Sequence, residues 1–165
     1  MIRCIIVGYG FLGRRLAKEI AAHKIRDLRL VGIASSKGYL YRESGFSLED
    51  LPENLAEARG FKEAPASELI NSRLADLLIE LTPTNIRDGE PGLSHIRQAL
   101  EEGMDVVTAN KGPIALAYEE LTGLAEERGA MLLYEATVGG GIPLISLQKR
   151  CLAADELLSI KGILN

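Results

Sequence analysis

The word GYGFLG, Gly8 to Gly13, stands between the apolar run IRCIIV (2–7) and a stretch in which Phe11, Leu12, Leu16 and Ile20 recur at helical spacing. An apolar run closed by glycine reads as a strand, and the spacing after it as an amphipathic helix. The glycines must therefore turn the chain through a tight strand-to-helix corner. Gly8 suits the turn, Gly10 leaves the backbone open to close approach, and Gly13 lets helix and strand pack together. The unsatisfied N–H groups and positive pole of the helix end favour an anion such as a pyrophosphate. The hexamer alone is a weak signal. Its place after a strand and before a helix favours dinucleotide binding over a purely structural turn, with Gly8, Gly10, Phe11, Leu12 and Gly13 as the expected contacts.

The same alternation runs along the chain. LRLVGIAS (28–35) completes a strand-helix-strand unit, ADLLIELT (75–82), MDVVTA (104–109) and AMLLYEA (130–136) read as further strands, and ELLSIKGILN (156–165) as a last one. Leu93, Ile96 and Leu100 mark one intervening helix, and Tyr118, Leu121 and Ala125 another, while Pro143 opens a third that runs to about Leu152. Residues 37–73 are the least regular, with short helices expected over 48–58 and 67–72. Near-continuously apolar strands alternating with helices predict a Rossmann-type, doubly wound α/β domain spanning 1–165: a mostly parallel sheet covered by helices on both faces. At 165 residues and 47% hydrophobic, one such domain accounts for the whole chain.

In an open parallel sheet, ligands bind beyond the carboxyl ends of the strands. The second strand ends in Ser35, Ser36 and Lys37. An acid there would hold the 2′-hydroxyl of NAD. Small hydroxyl residues beside a cation leave room for a 2′-phosphate, so NADP is the expected cofactor and NAD the alternative. At the other strand ends, Thr82 and Pro83 form a stiff loop suited to the nicotinamide ribose, and Asn110 offers an amide to the same region. Glu80 and Glu135, acids on apolar strands, require partners if buried. Cys4 and Cys151 lie in no metal-binding spacing and read as two buried thiols of a reducing compartment. A net charge of −4 without a basic run argues against nucleic acid. No apolar stretch has membrane-spanning length and no leader pattern opens the chain, so a cytoplasmic protein is expected.

The words ELTPTN, GEPGLSHIRQALEEGMDVVTANKGPIA, YEATVGGGIPLI and SIKGILN, together with the glycine loop, resemble the N-terminal half of homoserine dehydrogenases in order and spacing. The resemblance implies NAD(P)-dependent interconversion of L-homoserine and L-aspartate 4-semialdehyde, on the route to threonine, methionine and isoleucine. It places Lys111, the lysine of TANKGP, in the active site near cofactor and substrate. A cation there suits an alkoxide that develops as hydride leaves the carbinol carbon. It also implies a monovalent cation held largely by backbone carbonyls, here of Glu135, Val138, Gly140 and Ile142. The family continues beyond the equivalent of Asn165 into a substrate-binding, dimer-forming domain, and its members are homo-oligomers. The acids that grip the substrate and a second lysine belong to that domain, so the chain is expected to bind the dinucleotide, to be inactive alone, and to take a small amino-acid substrate once that domain is supplied. Two other readings stay open: a stand-alone nucleotide-binding or sensing module, and another amino-acid dehydrogenase such as an aspartate dehydrogenase. Acylating semialdehyde chemistry is disfavoured, since neither cysteine sits at a strand end.

Overall fold

Gly32, Ile33 and Ala34 on one side and Leu77 to Glu80 on the other hold the first strand in register, which makes it the centre of the sheet. The computed structural model describes residues 1–71 and 73–162. Its strands are β1 (Ile2–Val7), β2 (Leu28–Ser35), β3 (Gly38–Tyr41), β4 (Leu77–Glu80), β5 (Asp105–Thr108) and β6 (Leu132–Leu133), in the order β3-β2-β1-β4-β5-β6. All pairings are parallel except β2 with β3. The helices are α1 (Phe11–Ala21), α2 (Gly92–Glu101), α3 (Lys111–Arg128) and the single turn α4 (Leu144–Ser146), which runs on as a π turn over Leu147–Cys151.

Alternation along β1 sends Cys4 and Ile6 to one face and Ile5 and Val7 to the other. On the first face lies a core of Ala17 and Ile20 from α1 with Phe46 and Leu55 from the long connection. On the second lies a core of Ile96 and Leu100 from α2, Leu121 from α3, and Leu69 and Ile70. Layers on both sides of a mostly parallel sheet give the doubly wound architecture that the sequence predicts.

Several local expectations are corrected. The buried stripe of α1 is Gly13, Ala17, Ile20 and Ala21, whereas Phe11 is 92% and Leu12 53% exposed. Gly13 has to face the turn it packs against, and that sets the phase of the helix. The connection after β2 holds the antiparallel strand β3, and the helix expected over 48–58 is two 3₁₀ turns, Leu48–Asp50 and Leu55–Glu57, separated by Pro52. That expected over 67–72 is one 3₁₀ turn, Ala66–Glu68, and Ser72 lies outside the described residues. The strand expected over 130–136 is only Leu132–Leu133. The final strand is absent over its described part: residues 156–162 are irregular and exposed, and 163–165 lie outside the described residues. Among the described residues no helix is long and apolar enough to cross a membrane.

Candidate functional site

Neighbouring parallel crossovers run in opposite directions from β1 and β4, so the crevice beyond their carboxyl ends is the switch point of the sheet. A cleft of about 870 Å³ lies there, bounded by Gly8, Gly10, Phe11 and Leu12, by Ser35 and Ser36, and by Thr82 and Pro83. The structure thus gathers most of the expected cofactor contacts around one space.

The glycines differ in what they allow. Gly8 has φ +106°, and a Cβ on it would stand 2.4 Å from the carbonyl carbon of Leu81. A Cβ on Gly13 would stand 2.3 Å from the carbonyl oxygen of Gly8. These two positions bring the exit of β4, the turn and α1 into backbone contact. A Cβ on Gly10 would meet nothing within 4 Å, so its missing side chain leaves room on the cleft side of the turn. Gly10 is also the N-cap of α1, with no side chain to cap it and no acid in the first turn. The free N–H groups of that helix end and the empty approach over Gly10 fit a pyrophosphate.

Ser35 pairs with Gly38 across the β2–β3 hairpin, which leaves Ser36 and Lys37 as an exposed two-residue turn. The Ser35 hydroxyl accepts from the backbone N–H of Lys37 at 3.3 Å, which folds the turn over. Ser36 and Lys37 also line a second, shallower depression beside Phe61 and Glu63. Arg14, just past the glycine turn, donates to the carbonyl of Glu53 at 3.2 Å.

Beneath the Thr82 loop lies Glu80, which is fully buried. Its carboxylate accepts from the Thr82 N–H at 2.9 Å, from the Thr82 hydroxyl, and from the Thr108 hydroxyl at 3.1 Å. Burial pushes the Glu80 carboxyl above its ordinary range, and these hydrogen bonds oppose the shift. The partners that the sequence demanded are thus a backbone amide and two hydroxyls, with no cation among them. Thr108 in turn accepts from the Asn110 N–H at 3.0 Å, and the Asn110 amide donates to Thr82 Oγ1 at 3.2 Å. Gly92 at the start of α2 closes this network, since a Cβ there would stand 2.5 Å from Asn110 Nδ2.

Asn110 is the N-cap of α3 and accepts from the Gly112 N–H at 3.2 Å. Lys111 is therefore the first residue of a helix, and it is exposed. It does not line the cleft, nor do Gly13, Lys37 and Asn110. Its neighbour Gly112 packs so closely on Asn85, a lining residue, that a Cβ would meet the Asn85 carbonyl oxygen at 2.3 Å. Pro65, Ala66, Glu90 and His95 also line the cleft. They were missed because they lie outside the strand ends, in the irregular connection, in the loop before α2 and on α2, where the periodicity carries no mark of a ligand.

Of the proposed cation ligands, Glu135 turns its carboxylate to the N–H groups of Ile145 and Ser146, at 2.8 and 2.9 Å. The Ser146 hydroxyl, which donates to the same carboxylate, is the chief reason that Glu135 sits below its ordinary range. Gly139 and Gly140 are both left-handed, with φ +69° and +59°, and fold the loop back on itself. The Ile142 carbonyl already accepts from the Leu144 N–H at 2.8 Å and that of Glu135 from the Val138 N–H at 3.4 Å. Those of Val138 and Gly140 take no hydrogen bond among the described residues. No cluster of three acidic, histidine or cysteine side chains forms a metal site among them.

The cysteines separate. Cys4 is buried in β1, and burial pushes its thiol up to about 12. Cys151 is exposed, contrary to the burial expected of it, because the turn that carries it packs nothing over that face.

Residues 8–135 match the family model described as homoserine dehydrogenase, NAD binding domain. A homoserine dehydrogenase of Methanocaldococcus jannaschii is 36% identical over 98% of this chain and 52% of its own length. The crystal structure of a putative homoserine dehydrogenase from Archaeoglobus fulgidus superposes with a TM-score of 0.78 at 36% identity, over 93% of this chain and 48% of that one. A hyperthermophilic archaeal homoserine dehydrogenase in complex with NADPH gives 0.75 at 28% identity, over 92% and 49%. The chain spans about half the length of the curated relatives it matches. With a glycine cradle at the switch point and a family match over most of its length, the chain belongs to the NAD-binding domain of the homoserine dehydrogenases.

Proposed function

We propose that this chain is the cofactor half of an enzyme that interconverts L-homoserine and L-aspartate 4-semialdehyde, and that it takes NADP in preference to NAD. The observation that carries the reading is the cleft at the β1–β4 switch point, walled by Gly8, Gly10, Ser35, Ser36 and Thr82. When bound there, the nicotinamide supplies or accepts the hydride. The chain's residues bind and orient: the amides at the start of α1 receive the pyrophosphate, and Thr82, Pro83 and Asn110 support the nicotinamide ribose. Lys111, at the first position of α3 beside Gly112, presents a cation to an oxygen that gains negative charge. The preference for NADP rests on the absence of an acid at the end of β2 and on the hydroxyls and cation of Ser35, Ser36 and Lys37. The solved relative bound to NADPH supports it.

The reading extends to a monovalent cation on the carbonyls of Glu135, Val138, Gly140 and Ile142. The two left-handed glycines and the two open carbonyls support this ligand set. Thermal unfolding in potassium chloride and in tetramethylammonium chloride of equal ionic strength tests it: a higher midpoint in potassium is expected, and equal midpoints reject the site.

Calorimetric titration with NADPH and NADH, beside an assay of homoserine oxidation with and without a separately expressed substrate half, tests the function. NADPH binding without turnover, followed by turnover when the second half is added, is the expected result. Binding with no rescue by a well-folded second half favours a stand-alone nucleotide-binding module, and tighter binding of NADH overturns the role given to Ser35, Ser36 and Lys37.

A further inference from the structure

Among the described residues, one buried side-chain nitrogen has no hydrogen-bond partner, Nδ1 of His95, and His95 lines the cleft. An orphaned polar atom in a packed wall weakens a fold. Burial holds the imidazole below its ordinary range, against the pull of Glu90, so the ring is neutral near pH 7. With no acceptor beside Nδ1, a proton there would leave an unpaired buried N–H, which is rarer and costlier than an unpaired lone pair, so the neutral ring is assigned its proton on Nε2. Nε2 has no hydrogen-bond partner among the described residues and is not one of the buried unpartnered atoms, so it is accessible, which leaves an uncommitted N–H donor at the cleft.

Its position selects a part of the ligand. Gln98, one turn along α2, donates to the carbonyls of Ser67 and Ile70 at 2.8 and 2.9 Å. That seat holds this stretch of α2 against the segment that begins with Pro65 and Ala66, which line the same cleft as Ser35 and Ser36. The adenosine ribose belongs at the end of β2. The base beyond it then meets a wall of Pro65, Ala66, Pro91 and His95. Three of these are apolar and suit the flat face of a base, and the fourth offers a donor to an adenine ring nitrogen, which is an acceptor.

We infer that His95 donates a hydrogen bond from Nε2 to the adenine half of the dinucleotide, an inference that rests on the dinucleotide reading of the cleft.

The test compares wild type, His95→Leu and His95→Gln by calorimetry with two probes: NADPH, and 2′-phospho-ADP-ribose, which lacks nicotinamide. His95→Leu is expected to weaken both probes equally, by about three- to tenfold, the range of one neutral hydrogen bond. Its unfolding midpoint should hold or rise, since the substitution removes the orphaned Nδ1. His95→Gln, which keeps a donor, should recover part of the loss. In ¹⁵N spectra of wild type, which has only His23 as a second histidine, one imidazole Nε2 signal should shift on addition of 2′-phospho-ADP-ribose. Unchanged affinities in His95→Leu with an unmoved ¹⁵N signal overturn the inference and leave the dinucleotide reading standing. Loss confined to NADPH places His95 at the nicotinamide end and also overturns it. If wild type binds neither probe, the dinucleotide reading itself falls.

Discussion

The side-chain amide of Asn110 donates to Thr82 Oγ1 at 3.2 Å while its oxygen accepts from the Gly112 N–H, so one residue ties the loop after β4 to the first turn of α3. The buried Glu80 carboxylate lies below and holds Thr82 and Thr108 in place. The start of α3 at Lys111 is fixed by that tie.

Asn110→Ala should therefore lower stability by about 1 kcal/mol through loss of the N-cap. In a double-mutant cycle with Thr82→Ala, the effects on the unfolding midpoint should be less than additive, because either change removes the same bond. Strict additivity would show that the Asn110 to Thr82 contact contributes nothing.

Two glycines of one loop should respond oppositely to alanine. Gly8→Ala forces a Cβ into the Leu81 carbonyl at a left-handed φ, so a loss of about 2 kcal/mol or more is expected, with dinucleotide binding lost alongside. Gly10→Ala meets no protein atom and should cost no more than the weaker N-cap that alanine makes, under about 1 kcal/mol, yet weaken NADPH because its methyl occupies the approach to the pyrophosphate. Thermal unfolding and calorimetry on both variants decide this. Unchanged NADPH affinity in Gly10→Ala would remove the pyrophosphate from that turn.

Lys111 puts a cation in the first turn of α3, where the helix dipole opposes it and no acid compensates. Lys111→Ala should raise stability by about 0.3 kcal/mol or leave it unchanged. Turnover of homoserine by the enzyme completed with its substrate half should nonetheless fall at least ~10-fold. Stability and turnover moving in opposite directions would mark Lys111 as a functional group, and unchanged turnover would mark it as a solvated surface lysine.

The Glu135 carboxyl lies below its ordinary value of 4.5, so its ionised form is the one that the fold prefers. Its contribution is fully present above pH 4.5 and is lost as pH falls through the lower folded value. The amide resonances of Ile145 and Ser146 should titrate together in that acid range, and Glu135→Gln should abolish the titration. Amides that stay fixed down to the acid transition of the whole fold would show that the carboxylate does not anchor α4.

What the sequence disclosed follows from how locally each feature is determined. The glycine turn, the strands at β1, β2, β4 and β5 and the sheet class rest on short-range pattern, and they stand as expected. Strand β3 escaped notice because it is four residues long, begins at a glycine and pairs antiparallel after a two-residue turn. The run from Glu156 shows the converse: apolar alternation says that a segment suits a sheet, and among the described residues this one has no strand to pair with. The exposure of Phe11 and Leu12 was hidden because both the stripe against the sheet and the rim of the cleft are apolar, and only the Gly8 to Gly13 contact chooses between them. The wall formed by Pro65, Ala66 and His95 depends on how α2 packs against a distant loop, which no local pattern encodes.

The β2–β3 hairpin separates two duties. The glycine turn proposed to cradle the phosphates is bare backbone, and Gly8 and Gly13 leave no room there for a side chain. The turn at Ser36 and Lys37 is exposed, and the strand after it is pinned elsewhere, at Gly38, whose missing side chain lets the Lys62 carbonyl approach. On the proposed reading, coenzyme choice sits on a small detachable tip, and a lineage could trade one nicotinamide coenzyme for the other by altering two surface residues without re-evolving the domain beneath them.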